Sequence, residues 1–182
     1  MVIFVTGNQG KLSEVRLVLP DVQNINLDLA EIQGSPQEVA IDKCKKAALQ
    51  LGCACLVEDT SLCFNALNGL PGVYIKHFLE AVGNQGLNDL IQAFPDKSAY
   101  ALCTFAYSAG PGHTPILFEG RTDGTIVPPQ GKKMFGWDPI FKPNGFQVTY
   151  AEMDSETKNS ISHRGKALAK MSEFLSLNPE ML

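Results

Sequence analysis

The chain has 182 residues, of which 45% are hydrophobic, and nineteen acidic against fifteen basic residues give a formal charge of −4. That length fits one domain, or one domain of two lobes, which buries roughly 70% of its unfolded surface. The negative charge argues against a duplex nucleic-acid partner, because such affinity comes mainly from neutralising phosphates. A small polyanion bound in a local basic pocket remains compatible with this charge.

The cysteines and the apolar runs indicate the compartment. The five cysteines are odd in number, contain no Cys-x-x-Cys pair and lie mostly in apolar runs. They are typical of buried thiols in a reduced compartment, and structural zinc is not expected. The apolar run 2–5 has no positively charged leader and is too short to span a bilayer, and no run of eighteen apolar residues exists. We therefore expect a soluble, cytoplasmic protein with no membrane partner.

The first elements alternate between strand and helix. Residues 2–5 are a fully apolar strand that ends at Thr6-Gly7-Asn8. Apolar residues then recur at helical spacing over 12–19, and Pro20 ends the pattern. The alternation over 24–29 predicts a second strand.

The next two elements are a capped helix and a buried strand. Ser35-Pro36-Gln37-Glu38 is a capping box with proline at the first helical position, so we predict a helix from there to Gly52. Residues 53–57 predict another buried strand, and Glu58-Asp59-Thr60 marks its end.

The second half begins with two short helices, predicted around 74–81 and 86–94. Longer strands are predicted at 99–108 and 116–127, joined near Gly110-Pro111-Gly112, which is a hairpin signal. A final amphipathic helix, about 160–175, places Leu168, Met171 and Leu175 on one stripe. No internal repeat is present, and the order of elements predicts an α/β protein with a mixed sheet bent into two lobes.

Thr6-Gly7-Asn8-Gln9-Gly10-Lys11 lies directly between a strand and a helix. Backbone N–H groups, the positive helix end and a lysine would meet there, which suits a phosphate. The spacing matches neither the dinucleotide fingerprint nor the Walker pattern. A turn rich in glycine and asparagine is often only a turn, so both readings stay open.

Carboxylates follow in loop positions, at Glu31 and at Glu58-Asp59. Magnesium takes a few carboxylate oxygens, keeps its waters and bridges to substrate phosphates, so such residues suit it. Alternatively, Glu31 is a solvated loop charge and Glu58 or Asp59 caps a turn. Lys43 and Lys76 are basic residues that would complete a triphosphate site, although most surface lysines are merely solvated.

Phe135-Gly136-Trp137-Asp138-Pro139 is an aromatic motif, and Ser162-His163-Arg164 begins 24 residues after its Asp138. A flat ring followed by a carboxylate, together with histidine and arginine donors, suits the reading of a heterocyclic base. The alternative is that Phe135 and Trp137 form a hydrophobic plug under a long loop.

Taken in order, these motifs resemble the inosine triphosphate pyrophosphatase family, more its eukaryotic than its bacterial branch. The resemblance covers nearly the whole chain. The motifs are TGN-x-x-K (6–11), Glu31-x-Gln-Gly, VEDT-x-LCFNAL-x-GLPG-x-YIK (57–76), KSAYALCTFA (97–106), FGWDP (135–139) and KN-x-x-SHR (158–164).

The resemblance implies a single pyrophosphatase domain over 1–182. Its expected fold is an elongated mixed sheet with flanking helices that form two lobes around a central cleft. The implied activity is Mg²⁺-dependent hydrolysis of ITP, dITP and XTP to the monophosphate and pyrophosphate, with Mn²⁺ as a possible substitute, by a homodimer.

The resemblance also implies the roles of individual residues. Glu31 and Asp59 hold the metal, and Asp59 is the catalytic residue that orients and deprotonates the attacking water. Glu58 is a candidate assistant. The implied substrate-binding residues are Thr6, Gly7, Asn8, Lys11, Lys43, Asp59, Thr60, Lys76, Phe135, Gly136, Trp137, Asp138, Lys158, His163 and Arg164.

Two rival functions stay open at this point. One is a nucleotide-binding regulator with weak or no turnover, against which the intact Glu31 and Asp59 argue. The other is a pyrophosphatase for pyrimidine or modified triphosphates, which His163, Arg164 and Asp138 disfavour.

Overall fold

The computed structural model describes residues 2–132 and 135–179. Within them, seven strands form one open sheet and five α-helices flank it. The strands are β1 (Ile3–Val5), β2 (Gln23–Ile25), β3 (Cys55–Phe64), β4 (Pro71–Gly72), β5 (Ser98–Ser108), β6 (Ile116–Ile126) and β7 (Phe141–Pro143). The helices are α1 (Gln9–Arg16), α2 (Pro36–Leu51), α3 (Ile75–Asp89), α4 (Ser155–Ile161) and α5 (His163–Leu177).

The strand order is β2-β1-β3-β5-β6-β7, with β4 paired to β3. Strand β1 runs parallel to both of its neighbours, so that Ile3 lies opposite Gln23 and Cys55. The pairs β3–β4 and β6–β7 are antiparallel. The predicted α/β class with a mixed sheet is therefore confirmed.

Helix α2 forms as its local sequence predicts. The Ser35 hydroxyl accepts a hydrogen bond from the Glu38 amide at 3.2 Å, and the Glu38 carboxylate accepts one from the Ser35 amide at 2.8 Å. Gly52 ends the helix with φ 68°, a left-handed conformation that suits glycine. Both ends were readable because each signal involves residues within one turn of the terminus.

The structure corrects the bounds of several other elements. Helix α1 begins at Gln9, where Asn8 caps it, and ends at Arg16, not near residue 19. The second strand covers three residues in place of the predicted 24–29. The two helices predicted after residue 74 are present as the two segments of α3, which the non-helical Gly83 separates, but the second ends at Asp89 and not near residue 94.

Strand β3 does not end at Glu58-Asp59-Thr60 as predicted, but continues through them to Phe64. The two carboxylates remain in the buried strand because lysine and arginine side chains from distant segments pair with them. The last helix also differs, since α4 ends at Ile161 and extended Ser162 separates it from α5.

The described residues divide into two compact units. Unit 1 comprises residues 2–59, 103–120 and 164–179, and unit 2 comprises 60–102, 121–132 and 135–163. None of the described helices combines the length and apolar character that a membrane span requires.

Unit 1 has a hydrophobic cluster on each face of its sheet. One cluster joins Leu56 of β3 to Leu12 of α1 and Leu168 of α5. The other joins Val57, the next residue of β3, to Cys44 of α2. Because side chains alternate along a strand, the following residues Glu58 and Asp59 also point to opposite faces.

Unit 2 has a single core cluster. It unites residues of β3, α3, β5, β6 and β7 with the segment around Tyr150. Trp137, Phe141 and Tyr150 are its aromatic centre, with ring centroids 5.0–6.3 Å apart. The aromatic motif that was noted in the sequence therefore contributes to this core.

Candidate active site

The turn between β1 and α1 is ordered by its own polar groups. The Asn8 side chain accepts a hydrogen bond from the Lys11 amide at 3.0 Å, and the Thr6 hydroxyl accepts one from the Asn8 amide at 3.1 Å. Gly7 packs closely against Asn26, because a Cβ at residue 7 would lie 2.8 Å from the Asn26 side chain and would force it to move. Thr6, Gly7, Asn8 and Lys11 are thus brought together at the positive end of a helix.

Glu58 lies on the α1 and α5 face of β3, where its side chain is fully buried. Lys11 forms an ion pair with it, the Arg164 Nε donates to Glu58 Oε1 at 3.3 Å, and the Cys103 thiol donates to the same oxygen at 3.1 Å. A buried carboxylate needs such partners, since an unpaired buried charge is very costly.

Arg164 is itself buried between two carboxylates of unit 1. Its Nη1 donates to Glu14 Oε2 at 3.0 Å, in addition to the contact with Glu58. Burial acts to lower the pKa of Arg164, but Glu58 and Glu14 outweigh it and the net direction is upward. Arg164 therefore stays charged and anchors α5 to α1 and β3.

Lys43 of α2 joins the two carboxylates that were assigned to a metal. Its Nζ lies 2.7 Å from Glu31 Oε1 and 3.9 Å from Asp59 Oδ1. Burial opposes its charge, but Asp59 and Glu31 raise the pKa of Lys43 on balance. The structure thus gathers Glu31, Lys43 and Asp59 into one cluster on the α2 face of unit 1.

The pKa of Asp59 is strongly shifted in this cluster. Burial raises its pKa from 3.8 to about 6, because desolvation outweighs the attraction of Lys43 and Lys11. Its Oδ2 atom is buried and has no hydrogen-bond partner among the described residues. A buried carboxylate oxygen without a partner is a position where a ligand or cation is expected.

The cluster fits a divalent cation that also binds substrate. No group of three or more His, Cys, Asp or Glu side chains within 2–132 and 135–179 is arranged to hold a metal ion by itself. Two carboxylates beside a lysine, Glu31 and Asp59 beside Lys43, are instead what magnesium uses when waters and phosphates complete its shell.

The aromatic motif provides polar groups in unit 2. The Asp138 carboxylate accepts a hydrogen bond from Lys158 Nζ at 2.6 Å, and both side chains are largely buried. Phe135 is 40% exposed, and its ring centroid lies 5.2 Å from the Lys158 ammonium. Gly136 has φ 55°, and its carbonyl accepts a hydrogen bond from Asn84.

Trp137 and Phe135, which the sequence offered as one pair, have different environments. Trp137 is only 8% exposed and packs in the core, as the plug interpretation predicted, whereas Phe135 is exposed. The buried His163 imidazole lies 5.3 Å from Trp137 and 5.9 Å from Tyr150. Trp137 thus packs against His163 from the buried core.

The remaining predicted residues of unit 2 are Thr60 and Lys76. Thr60 is half-buried in β3, directly after Asp59, and Lys76 is exposed in the first turn of α3. The sixteen predicted site residues therefore separate into eight in each unit. Unit 1 holds Thr6, Gly7, Asn8, Lys11, Glu31, Lys43, Asp59 and Arg164.

Sequence reasoning missed three residues that contact this set. Glu14 lies three residues after Lys11 on α1, so the helical period was a usable signal for it. Cys103 and Tyr150 contact Glu58 and His163 across more than ten residues of intervening sequence, and no local pattern marks them.

The fold is that of an α/β protein with an open mixed sheet. Its turn between β1 and α1 resembles a phosphate-binding turn, and Lys43 forms a cluster with the carboxylates of Glu31 and Asp59. The sequence profile of the Ham1 family matches residues 2–174. The chain belongs to the Ham1 family.

Named relatives agree with this assignment. An inosine triphosphate pyrophosphatase from Neurospora crassa is 58% identical over 179 residues, which cover 97% of this chain and 93% of the relative. A solved HAM1 protein from Coxiella burnetii superposes with a TM-score of 0.87 at 32% identity, covering 96% of this chain and 98% of the other. A solved nucleoside-triphosphatase, or dITP/XTP pyrophosphatase, from Mycobacterium abscessus gives 0.75 at 30% identity, covering 93% and 97%.

Proposed function

We propose that this chain is a nucleoside triphosphate pyrophosphatase that hydrolyses the non-canonical purine nucleotides ITP, dITP and XTP to the monophosphate and pyrophosphate. The names of its relatives support the reaction. The observation in this chain that carries the proposal is the cluster in which Lys43 lies between Glu31 and Asp59. A pure binding protein has little use for such a cluster.

The phosphate contacts are assigned to the α1 turn and two lysines of unit 1. Thr6 and Asn8 shape the turn, and Lys11 and Lys43 supply charge in a protein whose net charge is negative. Each ammonium has three donors, so pairing with a carboxylate does not exhaust its capacity for phosphate oxygens. The family resemblance also implies phosphate contacts for Lys76 and substrate contacts for Thr60.

Glu31 and Asp59 would hold Mg²⁺, with Mn²⁺ as a possible substitute. The bound cation would neutralise phosphoryl charge and stabilise the pyrophosphate leaving group. The partnerless Oδ2 of Asp59 supports this assignment.

Asp59 is also proposed as the group that accepts a proton from the attacking water. A pKa of about 6 leaves it mostly ionised near neutral pH, yet basic enough to draw a proton in the transition state. Glu58 is not its equivalent, because it points to the other face and is occupied by Lys11 and Arg164. The structure thus supports dividing the two neighbours into a reactive and a structural carboxylate.

Base recognition is assigned to unit 2 and to Arg164. Phe135 offers an exposed aromatic side chain, while Asp138, Lys158 and His163 offer polar groups. Inosine and xanthosine carry an oxo group at C6 and a protonated N1, whereas adenosine carries an amino group and a bare nitrogen. A polar site that pairs with the first pattern leaves its own groups unpaired against the second, which discriminates by roughly 10⁴-fold.

We further propose a single functional domain over 1–182, a homodimer and a cytoplasmic location. The dimer rests on the family resemblance alone. The location is supported by the five cysteines, all of which are free thiols.

The test is a comparison of initial rates with ITP, XTP, dITP, ATP, GTP and dTTP under identical magnesium. We expect the first three to be fastest, and Asp59→Asn to lower the ITP rate by about 10²–10⁴. Asp42→Asn is the matched control, because Asp42 lies beside Lys43 in the chain but pairs with Lys46 at 2.7 Å. Binding of ITP without turnover would favour the regulator, and a fastest rate with dTTP would favour the pyrimidine enzyme.

A further inference from the structure

Tyr150 is the largest fully buried side chain of the described residues and lies at the centre of the unit 2 core. Its amide donates to the Phe141 carbonyl at 3.0 Å, and its ring packs 5.0 Å from Phe141 and 6.3 Å from Trp137. The neighbouring Thr149 hydroxyl donates to the Gln130 carbonyl at 3.1 Å. Backbone and ring are therefore both fixed, which makes Tyr150 a rigid platform.

One face of this platform carries His163. The two rings are stacked with an interplanar angle of 16° and centroids 5.9 Å apart. Trp137 bounds the same imidazole at 36° and 5.3 Å. The plane of the imidazole sets the directions in which its two nitrogens point, so these rings determine what His163 can reach.

The same ring also contacts Lys158. The ammonium lies 5.4 Å from the centroid of Tyr150 and 5.2 Å from that of Phe135, within the range of a cation–π interaction. A carboxylate oxygen of Asp138 lies 2.6 Å from it. Lys158 is therefore held by two aromatic faces and one carboxylate.

We propose that Tyr150 is a positioning residue for base recognition: its aromatic ring contacts both the His163 imidazole and the Lys158 ammonium and fixes the two together. The inference rests on the proposed function, because it takes His163 and Lys158 to contact the base. Tyr150 is itself fully buried and acts only through its two neighbours.

The flat ring is the feature that matters. A leucine at 150 would fill much of the volume but would present no π face, so both the stacking and the cation–π contact would be lost. A phenylalanine would keep both. Discrimination by hydrogen bonds depends on donors and acceptors that are held within a fraction of an ångström. If His163 and Lys158 were held less firmly, the enzyme would discriminate less between ITP and ATP.

The experiment compares wild type, Tyr150→Phe and Tyr150→Leu by kcat and KM for ITP and for ATP. We expect Tyr150→Leu to raise KM for ITP at least tenfold, to change kcat less, and to narrow the ITP-to-ATP ratio of kcat/KM at least tenfold. We expect Tyr150→Phe to stay within about threefold of wild type in that ratio. A ratio unchanged in Tyr150→Leu, or lost equally in Tyr150→Phe, would overturn the proposal.

Phe64→Leu is the matched control, since Phe64 is fully buried in the same cluster. We expect it to lower the thermal midpoint much as Tyr150→Leu does while leaving the ITP-to-ATP ratio intact. Equal narrowing in Phe64→Leu would mean that general core damage, and not the Tyr150 face, loosens recognition.

A measurement without substrate separates this inference from the proposed function. Selective ¹³C labelling of the three histidines, with His163 assigned through His163→Gln, reports the ring-current shift that the aromatic stack imposes. We expect the shift to persist in Tyr150→Phe and to shrink in Tyr150→Leu. If wild type does not hydrolyse ITP, the proposed function fails; if the His163 signal of folded Tyr150→Leu matches wild type, the positioning role fails.

Discussion

Replacing Asp59 by asparagine should lower turnover by about 10²–10⁴ and at the same time stabilise the metal-free protein. The folded state binds the Asp59 proton more tightly than the unfolded state, because its pKa is raised from 3.8 to about 6. Stability therefore falls as pH rises between these two values, and the full penalty is present above pH 6. Asparagine has no charge to desolvate, so the variant should escape this penalty.

The magnitude follows from the two pKa values. One unit of pKa corresponds to about 1.4 kcal/mol, so the penalty approaches about 3 kcal/mol at pH 8 and is about 0.6 kcal/mol at pH 4. Asp59 is only 9% exposed, so solvent screening removes little of this. The free energy of unfolding of Asp59→Asn should thus exceed that of wild type by a margin that grows with pH. Added magnesium should shrink the margin, because a cation held by Asp59 offsets the desolvation.

The assay is urea unfolding of both proteins with a chelator at pH 5, 6, 7 and 8. Glu58→Gln is the matched control. It should lower the free energy of unfolding, whereas Asp59→Asn should raise it, because Glu58 is buried but paired with Lys11 and Arg164. Breaking that network should cost about 3–5 kcal/mol. If Asp59→Asn is less stable than wild type at pH 8, the raised pKa of Asp59 and the inference that Lys43 and Lys11 only partly offset its desolvation are wrong.

Substitutions at Glu31, Gly7 and Arg164 test separate parts of the site. Glu31→Gln should raise the magnesium concentration for half-maximal rate, and an unchanged metal dependence would place Glu31 outside the coordination shell. Gly7→Ala should lower kcat/KM for ITP about tenfold, because its Cβ would meet Asn26 at 2.8 Å, and Asn26→Ala in the same chain should restore activity. Arg164→Ala should lower the free energy of unfolding by about 3–5 kcal/mol, because Glu58 loses a partner. Arg164→Lys should keep much of that stability yet narrow the ITP-to-ATP ratio of kcat/KM. If that ratio is unchanged, Arg164 does not take part in base recognition.

The sequence predicted those elements whose signals are local. Helix α2 was readable at both ends, because the Ser35 capping box and Gly52 act within one turn. The continuation of β3 through Glu58 and Asp59 could not be predicted. Consecutive acidic residues are typical of an exposed turn, and only their cationic partners explain why they are buried in a strand. Those partners come from Lys11, Lys43 and Arg164, far away along the chain.

The same contrast holds for the candidate site. The aromatic motif predicted a base site, but only packing shows that Phe135 is exposed while Trp137 is buried. Nothing before Ser162 marked the break between α4 and α5, because an extended serine carries no glycine or proline signal. Tyr150 escaped notice because its role comes from two side chains that it meets only in the fold.

The central claim is cleavage between the α- and β-phosphoryl groups of a deaminated purine nucleotide. The most direct measurement is a product analysis of ITP hydrolysis, with the nucleotide products separated by anion exchange and pyrophosphate and orthophosphate quantified independently. We predict IMP and pyrophosphate in equal amounts. Release of IDP with orthophosphate would contradict the account.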